Sequence, residues 1–219
     1  MNSEFKDRVA SDVEAIDSNN SNKGIMYSLN DMTYQSPLSD RYSVKFFNKI
    51  WGKKLILSAT EVARLDASDS DKISILLSKV KDEAAILWAI ECVKNSVCHV
   101  NMARAEFGVE VDSRFDRALW ALSSTVACGS DHPGLSRIRE DCARFKAEEG
   151  DYESSCIAGA VNDLFIAVRR LREDVEVEGD GADDTIVEMA ENAAALAMFS
   201  DEEERWQLNL LVKMAGGQV

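Results

Sequence analysis

DKISILLSKVKDEAAILW, residues 71–88, decides the fold class. Ile73, Leu76, Leu77, Val80, Ala84, Leu87 and Trp88 recur at intervals of three and four, which places apolar groups along one face of a helix. The spacing predicts one long helix from Asp71 onward. The same period returns downstream. Phe115, Ala118, Leu119, Leu122 and Val126 mark a second helix, closed by Cys128-Gly129. Asp131-His132-Pro133-Gly134 reads as a turn, and Leu135, Ile138, Cys142 and Phe145 give a third stripe, broken at Glu149-Gly150-Asp151. Ile157, Val161, Leu164, Phe165, Val168 and Leu171 form a fourth, with Arg169, Arg170 and Arg172 opposite. Ile186, Ala190, Ala193, Ala194 and Ala197 mark a small-residue face suited to close helix approach, and Trp206, Leu210, Leu211 and Met214 complete the series.

Upstream of this run the signals weaken. Residues 3–17 read as a short amphipathic helix carrying Phe5, Val9, Val13 and Ile16, followed by the polar linker Ser18 to Gly24. Residues 25–40 are irregular, and Pro37 excludes a long helix there. Residues 1–40 are therefore expected to form an N-terminal arm. The bundle is expected over 41–219. Ser58-Ala59-Thr60-Glu61 and Ser200-Asp201-Glu202-Glu203 are capping-box patterns that start helices. With only 2 prolines and 11 glycines in 219 residues, the chain lacks the punctuation of a β-rich fold. The expected class is all-α: a multi-helix bundle with a partly irregular N-terminal arm.

The charge is divided unevenly. Residues 1–147 carry 21 acidic and 20 basic side chains, whereas residues 148–219 carry 18 acidic and 5 basic, a net of −13 in a chain of net −14. A field of that sign at one end attracts basic partners and repels nucleic acid. Its densest run is Asp174, Glu176, Glu178, Asp180, Asp183 and Asp184, a candidate docking surface for arginines and lysines; a solvated inter-helix loop is the alternative. A calcium loop does not fit. With Glu176 as first ligand, Gly181 falls sixth as required, but the first residue is not Asp and the twelfth is Val187 instead of Glu.

Other chemistry is thinly supported. His99 and His132 sit in no H-E-x-x-H or Cys/His zinc pattern, and no Glu has a His three residues on, as a di-metal helix bundle needs. Cys98 and His99 diverge by about 100° on a helix. A nucleophilic pair with His132 is the remaining Cys-His option. There is no glycine-rich phosphate loop. No cofactor, metal or catalytic residue is expected. Cys92, Cys98, Cys128, Cys142 and Cys156 fall inside helical patterns, pointing to buried reduced thiols in a cytoplasmic protein. The N-terminus has no secretory h-region, and no stretch approaches 18 apolar residues. Trp88, Trp120 and Trp206 are expected in the core.

Arg41, Lys45, Lys49 and Lys53 recur every fourth residue, with Phe46, Phe47, Ile50 and Trp51 on the other side. Such a cationic amphipathic segment over 41–54 suits a membrane surface or a partner groove, or else sends its aromatics inward and leaves its lysines in water.

The runs Ala84 to Cys92 and Arg114 to Trp120 resemble the opening helices of small all-helical bacterial immunity proteins of polymorphic toxin systems and their uncharacterised relatives, over residues 71–199. The resemblance rests on helix pattern and carries over no functional residue. It implies an inhibitor that binds and neutralises a basic toxin or effector. Two other classes stay open: an adaptor using residues 41–54, and a helical enzyme whose site is assembled from scattered residues.

Overall fold

Side chains that cap their own helices set the element boundaries in the computed structural model, which describes residues 24–34, 42–106, 113–130, 132–148, 152–173 and 185–218. The expected helix over 3–17, the polar linker up to Lys23 and residues 35–41 lie outside the described residues. Ser43 caps α2 (Val44–Trp51), and Ser68 caps α4 (Asp69–Leu77) by accepting from the Asp71 amide at 3.1 Å. Ser58 and Glu61 form a complete reciprocal capping box on α3 (Ala59–Val62), as their spacing predicts. Thr185 and Glu188 form another on α9 (Ile186–Leu196). Gly129, with φ 66°, closes α6 (Arg114–Cys128), a left-handed conformation that glycine adopts at little cost.

The first correction falls on the deciding stretch. Residues 71–88 do not form one helix. α4 ends at Leu77, and Lys79 and Val80 turn back on Leu76 and Leu77 through backbone bonds of 3.5 and 3.1 Å. α5 (Asp82–Glu106) then starts with Asp82 and Glu83, acidic groups that favour the positive end of a helix. α5 is buried on more than one side. Ala85, Ile86, Ala89, Ile90, Val93 and Val97 lie in the core with Trp88, while Ala84 and Leu87 are only half-buried. A single 3–4 stripe understates such a helix, because its neighbours enclose it.

Those neighbours are α6, α8 (Tyr152–Glu173), α9 and α10 (Asp201–Met214), all of which pack on α5. α8 also packs on α7 (Leu135–Glu148). The small-residue face works as anticipated: Ala190, Ala193, Ala194 and Ala197 are buried, and α8 and α9 form the most extensive helix contact. Ile157, Val161, Leu164, Phe165 and Val168 are buried on the facing side.

Part of the N-terminal region is built into the body. Residues 26–28 (β1) pair antiparallel with 56–58 (β2), Tyr27 opposite Leu57, and α1 (Leu29–Tyr34) packs on α2. Tyr27 and Met32 are fully buried, and the Tyr27 hydroxyl donates to the Leu76 carbonyl at 3.1 Å. This sheet of two three-residue strands has no clear sequence signal. Among the described residues the fold is an all-helical bundle of ten helices with one minimal sheet.

Two tryptophans depart from expectation. Trp88 is buried and its indole N–H donates to the Gln207 carbonyl at 3.1 Å. Trp120 is 62% exposed and Trp206 38%. Each sits one residue from a buried position of its helix, Leu119 or Gln207, and about 100° per residue turns it to the rim. The thiols divide likewise. All five are free, but only Cys92 and Cys142 are buried; Cys98 and Cys128 are exposed and Cys156 is intermediate. Burial pushes the Cys92 thiol well above its usual range, with Glu91 and Glu203 adding to it.

Candidate functional site

The six carboxylates of the candidate docking surface, Asp174, Glu176, Glu178, Asp180, Asp183 and Asp184, lie outside the described residues. The described parts of the acidic third place Glu153 in solvent at the start of α8, and Asp201 and Glu202 in solvent at the start of α10. The amide end of α10 carries a partial positive charge that offsets part of the repulsion among Asp201, Glu202, Glu203 and Glu204. Burial raises Glu204, with Asp69 and Asp201 contributing. Asp69, in turn, pairs with Lys72 at 3.1 Å and Arg205 at 2.5 Å, fastening α4 to α10.

Glu203 turns inward instead. Its side chain is 4% exposed. Oε1 lies 2.6 Å from the Ser96 hydroxyl and 3.4 Å from Asn95 Nδ2, and Oε2 accepts from the Phe199 amide at 2.9 Å. The Ser200 hydroxyl accepts from the Glu203 amide at 3.2 Å. Half of the anticipated capping box therefore forms; the glutamate reaches one residue further back, to Phe199, because it is also held by α5. Ser96 lies fully buried and also bonds the Ala197 carbonyl, while His99 is 61% exposed with Nδ1 3.9 Å from Glu203. The hydroxyl faces the carboxylate and not the imidazole, and solvent does not reach it. This Ser-Glu-His grouping ties α5 to α10 and has no accessible nucleophile.

The basic segment resolves in its structural sense. Phe47, Ile50 and Trp51 of α2 are buried, and Phe46 stacks on Tyr42 at 4.7 Å between ring centroids. Lys45, Lys49, Lys53 and Lys54 are exposed. Met26, Leu55 and Ile56 remain in solvent beside them on the strand pair and the segment leading into it. Tyr42 donates to Asp71 at 2.6 Å, and its phenol is pushed up to about 12, first by burial and then by that carboxylate.

A cavity of about 550 Å³ opens between α7 and α8, lined by His132, Leu135, Arg137, Arg139, Phe165, Val168, Arg169 and Arg172 among others. The turn before α7 builds its mouth. Gly134 takes φ 87° and the Leu135 amide returns to the His132 carbonyl at 3.1 Å, so Pro133-Gly134 occupy the centre of a type II turn. The His132 ring stands edge-on to Trp120 at 5.0 Å, and its buried Nδ1 has no hydrogen-bond partner among the described residues. Residues from α7 and α8 thus meet here although 26 or more positions separate them in sequence. The arginines of α8 read in sequence only as the polar side of a stripe.

Among the described residues no three His, Cys, Asp or Glu side chains converge as metal ligands, and no helix is long and apolar enough to cross a membrane. Comparison with known protein families, with curated proteins and with solved structures finds no match.

Proposed function

We propose that this chain is a non-enzymatic interaction protein that binds and blocks a basic protein partner, a toxin or effector, as immunity proteins do. The partition of charge carries the reading: a net of −13 over residues 148–219 against near neutrality before them. Opposite charge steers two proteins together and raises the association rate, the quantity a neutralising inhibitor must maximise. Solvent-facing Glu153, Asp201 and Glu202 extend the acidic character beyond the 174–184 run. The packed helical body supplies a scaffold for the acidic third of the chain.

The test uses the partner recovered from the host by affinity capture and identified by mass spectrometry. Reversal of Glu176, Glu178 and Asp180 to lysine slows association at low salt by at least tenfold and flattens its salt dependence. Unchanged association kinetics would leave the acidic run as a solubilising loop and remove the basis of the proposal. The competing adaptor reading loses most of its aromatic surface, since Phe47 and Trp51 are already spent in the core.

A further inference from the structure

The cavity between α7 and α8 plays no part in capturing a basic protein, and its chemistry is opposite in sign. We propose that it is a binding site for a small organic phosphate, with the phosphate held by the arginine rim and the organic body lying on the apolar floor. Four arginines, Arg137 and Arg139 from α7 and Arg169 and Arg172 from α8, line one concave space in a chain of net charge −14. Like charges gathered this way repel, and an anion between them removes the repulsion. Among the described residues, Arg137, Arg139 and Arg172 form no ion pair with a carboxylate.

Two further features select the ligand. First, the mouth is the amide end of a 14-residue helix whose first turn holds no acidic side chain. The Ser136 and Arg137 amides lie at the helix start, where no intrahelical acceptor exists, and the helix dipole favours an anion there. A phosphate offers several oxygens in a tetrahedron and matches this mixture of backbone amides and planar guanidinium forks. Secondly, the floor is apolar. Phe165 and Val168 are buried and Leu135 is half-buried beside them, so a bare inorganic ion would leave most of the 550 Å³ unused. That volume lies within the usual range for small-molecule sites. His132, whose Nδ1 is buried without a partner among the described residues, adds a polar group to the same wall.

Titration calorimetry of the full chain at low salt, with ADP, inorganic pyrophosphate, citrate and adenosine as probes, tests the assignment. ADP binds at one site per chain, pyrophosphate binds more weakly, and adenosine binds at least tenfold more weakly than ADP. Arg137→Ala with Arg139→Ala weakens ADP at least tenfold. Both side chains are exposed, so the helical circular dichroism persists; should it fall, Arg139→Gln alone gives the same comparison. Lys45→Ala with Lys49→Ala removes equal charge from α2 and changes affinity by less than twofold. Trp120 fluorescence responds to ADP through its contact with His132, and Trp120→Phe abolishes the change. The assignment is overturned if ADP and pyrophosphate give no binding at millimolar concentration, if both double variants lose affinity equally, or if citrate binds as tightly as ADP.

Discussion

Replacing Glu203 separates shape from charge in the buried joint between α5 and α10. In Glu203→Ala the Phe199 amide loses its acceptor at 2.9 Å and Ser96 loses a charge-assisted bond at 2.6 Å. A part-buried amide left unpaired costs about 1–3 kcal/mol. Ser96 keeps the Ala197 carbonyl and, at 3.3 Å, the Cys92 carbonyl as acceptors, so its loss adds only ~1 kcal/mol. The expected destabilisation is about 2–4 kcal/mol. Glu203→Gln keeps the shape. Its amide oxygen can face Phe199 while its amino group donates to the Ser96 oxygen, whose own proton turns to Ala197. The Phe199 amide and the Ser96 hydroxyl then retain partners, half-buried Asn95 gives up only its 3.4 Å contact, and the expected cost is below ~1 kcal/mol. Urea denaturation followed by far-ultraviolet circular dichroism and linear extrapolation measures both. A Glu203→Gln loss equal to that of Glu203→Ala would refute this account, since it would make the negative charge, and not the hydrogen-bond count, the source of stability.

Leu164→Ala, at a fully buried position of α8, is expected to cost about 2–5 kcal/mol in the same assay; a cost under ~0.5 kcal/mol would show that the site does not pack as described. Tyr42 has a folded-state value of about 12 against 10.0, so its contribution is complete below pH 10 and is lost as pH rises towards 12. Tyr42→Phe should therefore flatten the fall in urea midpoint between pH 9 and pH 11, although Tyr27, raised by burial, keeps part of the slope. An unaltered slope in Tyr42→Phe would remove the Asp71 contact from the explanation.

Helices were the most legible part of the chain because their determinants are local. Ser58 and Glu61 are three residues apart, and their reciprocal bonds form wherever the backbone turns. Gly129 ends α6 for an equally local reason. The stripe Ile157, Val161, Leu164, Phe165 and Val168 is buried as its spacing implies. Where two or more neighbours enclose a helix, periodicity stopped being informative: Ile86 and Ile90 fell outside the apparent stripe of α5 yet lie in the core. The break at Ser78–Lys81 was also hidden, because the apolar spacing happens to run on across it.

The candidate sites divide along the same line. By itself the sequence determined the helical class, the caps at Ser58, Ser200 and Gly129, and the separation of charge, all functions of residue identity over short distances or simple sums. Tertiary structure decided that Glu203 is a buried tie while Asp201 and Glu202 face water, that Trp120 lies on the rim, and that arginines from α7 and α8 converge on one cavity. Each of these depends on which helix lies against which and at what rotation. Contacts between residues far apart in sequence fix those relations, and no local pattern encodes them.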